Sequence, residues 1–204
     1  MIFFKKPKAE RFDPDAMELS FGKQVLIFIW EIVKIVVISL AIIIPVRYYL
    51  IKPFYVKGAS MEPNFYNHEY LIIDEISYRF SQPQRGDTVV IRYPYDPSQY
   101  FIKRVIGLPG EKIKISASRV SIYNSQYPDG LVLHEPYLPE SLKTLGEVEV
   151  TLKSNEYYVL GDNRVASLDS RVFGPVSREF VVGKTLLRGW PIYRIGLVNY
   201  HVNY

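Results

Sequence analysis

Few residues in this chain could carry nucleophilic or acid–base chemistry. Its 204 residues hold no cysteine, which excludes thiolate nucleophiles, disulfides and thiolate metal sites. The three histidines are His68, His134 and His201, and neither their spacing nor any His-Glu-x-x-His run suggests a metal site. A Ser-His-Asp arrangement stays open on sequence alone. Even so, His68 lies in a polar Asn-His-Glu turn and His201 near the C-terminal end, positions that suit surface roles. A reaction run without histidine needs another base, and two cations in one apolar run offer it: Lys103 and Arg104, within Tyr100-Phe101-Ile102-Lys103-Arg104-Val105-Ile106. Period-two alternation puts Lys103 on a face with Phe101 and Val105, and Arg104 on the other with Ile102 and Ile106. Alternation does not say which cation is buried. Chemistry separates them: arginine effectively never loses its proton, whereas desolvation can bring a lysine towards neutrality.

Two further segments concentrate reactive or polar groups. In Gly58-Ala59-Ser60-Met61-Glu62-Pro63, small residues let the backbone approach a ligand closely. The Ser60 hydroxyl would then project from a stiff turn, with backbone N–H groups available to an oxyanion. Taken alone, such a serine is usually only a loop serine, and a lysine such as Lys103 usually snorkels to water. The second segment is Gly161-Asp162-Asn163-Arg164, followed by Ser167-Leu168-Asp169-Ser170-Arg171 and Phe173-Gly174-Pro175-Val176. A hydroxyl at Ser167 could orient a neutral amine, and Asp169 could pair with Arg171 to brace the loop. The bland reading is a polar turn with a structural ion pair.

These groups need elements to position them. Residues 1–20 are polar and charged, and the apolar run Val25–Val46 is long enough to cross a bilayer. Glu31 and Lys34 interrupt it at i,i+3 spacing, where they can pair or reach the nearer surface. Tyr48, Tyr49, Phe54 and Tyr55 follow as an interfacial aromatic belt would. The run covers all faces of a helix, unlike a soluble amphipathic stripe, and Ser39-Leu40-Ala41 lacks the polar region of a cleaved leader. An uncleaved anchor is the favoured reading: residues 1–22 a cytoplasmic tail, 23–50 a transmembrane signal anchor, and 51–204 an extracytoplasmic domain. Lys5, Lys6, Lys8, Arg11 and Lys23 before the run, against Arg47, Lys52 and Lys57 after it, favour that orientation.

Beyond residue 54 the chain turns to short β-branched and apolar runs. Tyr70–Asp74, Thr88–Tyr93, Tyr100–Ile106, Lys112–Ile115, Val120–Tyr123, Val148–Leu152, Tyr157–Leu160 and Phe180–Leu187 read as strands. Arg85-Gly86-Asp87 and Leu108-Pro109-Gly110 read as turns. The expected fold is mostly β: the N-terminal helix, then an antiparallel, partly closed sheet. The polar stretch 116–145 reads as an insertion or small β subdomain. A composition of 48% hydrophobic residues with 15% aromatics supports a packed core. The net charge of +4 suits a surface near anionic lipid, and no helix-turn-helix, zinc-finger or RNP pattern supports nucleic acid as a partner.

Taken in order, GASMEP, RGDTVV, FIKRVIGLPGE and GDNRVASLDSRVFGPV behind an N-terminal apolar segment resemble bacterial type I signal peptidase. The resemblance spans nearly everything after the anchor. It implies a membrane-bound serine endopeptidase without cofactor or metal, acting as a monomer on secretory preproteins at the bilayer. Ser60 would attack the scissile carbonyl, neutral Lys103 would take its proton, and Ser167 would position Lys103. The Ser60 amide would serve the oxyanion hole, while Asp162, Asp169 and Arg171 would give structural support. The sequence departs from the pattern at Gly58, where some members carry a serine whose hydroxyl binds the oxyanion. It departs also at Asn64, in place of threonine, and at Val165-Ala166. Three rivals remain: a soluble self-cleaving Ser/Lys peptidase, a catalytically inactive tethered peptide-binding domain, and a basic lipid-surface protein. The last leaves the motif spacing unexplained.

Overall fold

A computed structural model describes residues 21–45 and 52–198. Residues 1–20, 46–51 and 199–204 lie outside the described residues, and with them Tyr48, Tyr49, His201 and most of the expected tail. Two compact units divide at Pro45.

The first unit holds helix α1, Phe21–Pro45, whose residues are almost all exposed. At about 1.5 Å per residue it is long enough to cross a hydrocarbon core of about 30 Å. It is the one helix among the described residues with that length and apolarity. Lys34 and Glu31 pair across one turn at 2.8 Å.

The second unit is mostly β. Its strands are β1 Lys52–Tyr55, β2 Tyr70–Asp74, β3 Thr88–Tyr93, β4 Asp96–Gly107, β5 Lys112–Ser116 and β6 Arg119–Tyr123. They continue with β7 Leu131–Val132, β8 Val148–Thr151, β9 Glu156–Leu160, β10 Val176–Ser177, β11 Val181–Trp190 and β12 Gly196–Leu197. Short helices α2, Ser77–Phe80, and α3, Ser170–Phe173, sit between them. The large sheet runs β1-β2-β11-β3-β4-β9-β10, with β12 on β11; the small one runs β7-β6-β5-β8. Every strand pairing among the described residues is antiparallel.

Alternation explains how the large sheet carries apolar groups on both faces. Val89, Ile91 and Val105 join Tyr157, Val159, Phe173 and Val181 in one cluster. Val90 and Ile102 point the other way, packing with Met61, Phe65, Leu71 and Ile73 in a second. The sheet curls around this second cluster, because Phe54 of β1 meets Tyr100 of β4 edge to face at 5.6 Å although three strands separate them. That is the partly closed antiparallel architecture expected. A third cluster, with Ile106, Ile113, Ile115, Ile122 and Leu160, joins the small sheet to the large one.

The structure differs from the sequence reading in its short and edge strands. β1 carries Phe54 and Tyr55, which the sequence suggested as part of an aromatic belt. Pro53 at this edge is tolerated because an edge strand leaves one side unpaired. β4 begins at Asp96, earlier than Tyr100, because Asp96 pairs with Tyr93 across the Pro94-Tyr95 turn; its first residues, Asp-Pro-Ser, have little strand propensity of their own. The small sheet draws on strands from Lys112 to Thr151, so it extends beyond both ends of the polar stretch 116–145. The Leu108–Glu111 turn closes with Glu111 N–H on Leu108 O at 3.1 Å, and Gly110 at φ 80° takes the position that needs a left-handed residue.

Candidate active site

The segment after β1 brings Ser60 to the centre of the second unit. Its local fold is a tight turn: Glu62 N–H donates to Ala59 O at 3.2 Å, Asn64 N–H to Met61 O at 3.0 Å and Phe65 N–H to Met61 O at 2.9 Å. Met61 and Phe65 are buried and pin the turn to the sheet, leaving Ser60 partly exposed. The lysine comes from the middle of β4, opposite Val89 of β3. Lys103 Nζ lies 2.9 Å from Ser60 Oγ and donates to Ile102 O at 2.8 Å. It also stands 5.3 Å from the Phe101 ring, as the shared strand face requires.

Both cations of that strand are buried, and the sheet treats them differently. Arg104 is 0% exposed and is answered by a bidentate carboxylate, Nε to Asp162 Oδ1 at 2.8 Å and Nη2 to Oδ2 at 2.6 Å. It also donates to Gly86 O at 2.8 Å and lies over the Tyr137 ring at 3.9 Å. Lys103, 2% exposed, meets a hydroxyl and a carbonyl, and among the described residues no carboxylate lies within ion-pair distance. Burial strips water from its charged form and pulls its pKa from 10.5 to about 8; the Asp169 and Asp162 carboxylates oppose that pull.

The loop after β9 braces the serine turn from behind. Asn163 N–H donates to Ser60 O at 3.0 Å and its side-chain amide to Ala59 O at 3.1 Å. Asn64 Nδ2 donates to Asp162 Oδ2 at 2.8 Å, and Asp162 N–H meets Met61 Sδ at 3.4 Å. Gly161 is packed so closely that a Cβ there would stand 2.5 Å from Ser60 O and 2.1 Å from Ser167 Oγ. Asp169 caps α3 and takes Arg171 bidentately, Nε at 2.9 Å and Nη2 at 2.8 Å, with the Gly161 N–H at 3.0 Å. Burial would push the Asp169 carboxyl up, but Arg171 and the Gly161 N–H hold it below the usual range. Ser167 Oγ is buried beside this group and helps hold the Asp169 carboxylate in its charged form; among the described residues it does not reach Lys103 at hydrogen-bond distance. Gly58, at φ 92°, is exposed and gives its N–H to Asn67 Oδ1 at 3.1 Å.

Of the residues singled out in the sequence, Ser60 and Lys103 meet directly. Asp162, Asp169 and Arg171 stand close behind them, and Ser167 lies beside Gly161. The two described histidines do not join them. His68 pairs with the Tyr55 hydroxyl and Asn67 Nδ2, and His134 is exposed. A cavity of about 650 Å³ holds His68, Glu69, Trp190 and Arg194 and contains neither Ser60 nor Lys103. Sequence reasoning missed Arg104, Asn64 and Asn163 as parts of the framework. For Arg104 a signal existed, since a buried guanidinium needs a buried anion and the polar cluster at Asp162 supplies one.

Beside Ser60 lies a smaller cavity of about 140 Å³, lined by Phe54–Lys57 of the β1 segment, Leu71, Val90 and Tyr100–Lys103. β9 pairs only with Arg104, Val105 and Gly107, so Tyr100–Lys103 has a strand on one side only among the described residues.

A serine hydroxyl in contact with a desolvated lysine amine on a curled β-sheet is an arrangement that could serve acyl transfer. The family model described as "Signal peptidase, peptidase S26" matches residues 29–190. A probable signal peptidase I-2 from Synechocystis sp. (strain ATCC 27184 / PCC 6803 / Kazusa) is 37% identical over 176 residues, covering 82% of this chain and 76% of that protein. A signal peptidase I from Leptolyngbya laminosa is 34% identical, covering 81% of this chain and 82% of its own length. Signal peptidase I U of Bacillus subtilis (strain 168) is 33% identical, covering 79% and 89% respectively. The chain belongs to the signal peptidase family, peptidase S26. It is a hydrolase of the serine endopeptidase class.

Proposed function

We propose that this chain removes N-terminal signal peptides from exported preproteins, with Ser60 as nucleophile and Lys103 as general base. The observation that carries the reading is the 2.9 Å contact between Ser60 Oγ and a buried lysine amine that, among the described residues, has no carboxylate against it. In its neutral form the amine has one lone pair and two N–H groups. The lone pair accepts the Ser60 proton, and one N–H stays on Ile102 O. The second N–H is available to Ser167 Oγ, a buried hydroxyl that also neighbours the Asp169 carboxylate.

Attack by Ser60 Oγ on the scissile carbonyl forms a C–O bond while its proton passes to Lys103. Collapse breaks the C–N bond, and the same proton goes to the leaving amine. Water then gives a proton to Lys103 and attacks the ester; the C–O bond to Ser60 breaks, and the proton returns from Lys103 to Ser60 Oγ. The Ser60 N–H serves the oxyanion; Gly58 contributes no hydroxyl, and its own N–H is already held by Asn67. Asp162, Asp169 and Arg171 act as support, holding the serine turn and β4 in register.

An extended substrate lies along the one-sided edge of Tyr100–Lys103, by strand addition. The small apolar cavity beside Ser60 suits small side chains near the cut, as in an Ala-x-Ala rule. α1 holds the enzyme in the bilayer as part of an anchor over residues 23–50, with 1–22 cytoplasmic and 51–204 outside as a monomeric peptidase domain. Substrate and enzyme then share one membrane, which raises their effective concentration.

The test is incubation of a purified secretory precursor with wild type and Ser60→Ala, with the new N-terminus sequenced. A cut after an Ala-x-Ala-like site by wild type alone supports the reading. Equal cutting by Ser60→Ala rejects it, and binding without cutting by wild type returns the peptide-binding alternative.

A further inference from the structure

The segment leaving β7 crosses to the catalytic loops and touches each of them. Glu135 accepts from Arg164, Nη1 to Oε2 at 2.8 Å and Nη2 to Oε1. Tyr137 O–H donates to Glu135 Oε1 at 2.5 Å, and Thr144 Oγ1 contacts Arg164 Nη1. Arg164, 1% exposed, donates from Nε to Gly161 O at 3.1 Å. On the serine side, Tyr137 O accepts from Asn64 Nδ2 at 2.9 Å. On the lysine side, the Tyr137 ring lies beneath Arg104, the neighbour of Lys103. Leu145 O accepts from Arg171 Nη1 at 3.3 Å, and Arg171 in turn holds Asp169.

We infer that Glu135, with Tyr137 and Thr144, forms a positioning strap for the peptidase reaction, clamping Arg164 so that the Gly161–Asn163 backbone stays pressed against Ser60. This rests on the Ser60/Lys103 reading. None of these side chains touches the cavity beside Ser60, so the strap acts through the 161–164 turn and not on substrate. The transmission is short. Glu135 fixes Arg164, Arg164 fixes the Gly161 carbonyl, and Asn163 N–H two residues on holds the Ser60 carbonyl. Gly161 leaves no slack, because even one added carbon there would collide with Ser60 O. A displacement of about 1 Å at a reacting atom can cost on the order of 100-fold in rate. The guanidinium is buried and Glu135 partly so; removing the Glu135 anion leaves Arg164 with only the Asp162 charge, at a point that the serine turn leans on.

The experiment is steady-state cleavage by the full chain in detergent of a synthetic peptide spanning an Ala-x-Ala site, from about pH 6 to 10. Wild type is compared with Glu135→Gln and Thr144→Val, with active sites counted by acylation of Ser60. For Glu135→Gln, kcat per active site should fall on the order of 10- to 100-fold with KM essentially unchanged; Thr144→Val should show a smaller fall of the same kind. The midpoint of the pH profile should move upward, because a loosened strap admits water to the Lys103 amine. A kcat loss with an unmoved midpoint still supports the strap and assigns its effect to Ser60. A kcat and midpoint equal to wild type, with only the melting temperature lowered, would overturn it, as would a rise in KM alone. Thr144→Val removes one hydroxyl and no charge, so it gives the same readout should Glu135→Gln not fold. Full activity in Lys103→Ala would sink the dyad reading separately, whatever the strap variants do.

Discussion

Lys103 carries a cost that its neighbour Arg104 does not. Arg104 meets Asp162 in a bidentate pair at 0% exposure for both side chains, whereas Lys103 faces a hydroxyl and a carbonyl. Its folded pKa of about 8 lies below the value of 10.5 that it has when solvated. The charged form is therefore disfavoured by folding, and the penalty is complete below about pH 8, shrinks as pH rises towards 10.5, and vanishes above it. Lys103→Met should stabilise the protein at pH 7 by about 3 kcal/mol, with the gain fading towards pH 10. Urea unfolding of the two proteins across that range checks it, and a destabilised Lys103→Met at pH 7 would contradict it. This residue was partly legible in advance. Sequence alternation put Lys103 and Arg104 on opposite faces, and the impossibility of deprotonating arginine separated them. That both would be buried was not readable, because burial depends on Asp162, 58 positions away, folding back onto β4.

Among the elements, the loop after β9 matters most, because it carries no regular structure yet fixes the serine turn. Gly161 is required for space: the clash distances lie against Ser60 O and the Ser167 side chain. Gly161→Ala should cut activity by on the order of 100-fold or more while binding of an uncleaved peptide persists. Steady-state kinetics beside a binding measurement would show it, and unchanged kcat would mean that the turn is softer than its packing implies. Strands β2, β3, β5 and β9 were legible because each is rich in β-branched or aromatic residues and bounded by turn residues. β7, β10 and β12 were not, since two residues carry no period and these strands exist through their partners. The strap from Glu135 to Leu145 was illegible for a related reason. Pro, Glu and Ser there read as a polar insertion, and only the fold shows where Arg164 points.

At the scale of the molecule, an apolar helix of 25 residues precedes a β unit that holds every catalytic candidate. If residues 1–22 face the cytoplasm, a tag at Met1 should resist protease added to intact cells, while a tag after Tyr204 should be removed. The reverse pattern would invert the proposed orientation. The anchor was legible from composition, and the motif order made the family legible, while the curl that brings Phe54 against Tyr100 had no local signature. The central claim is that a neutral lysine activates the serine, and the pH dependence of kcat for peptide cleavage by wild type tests it most directly. The rate should rise with pH through a midpoint near 8 as Lys103 loses its proton, then level off. A rate independent of pH between about 6 and 9, with the chemical step limiting, would show that Lys103 is not the base.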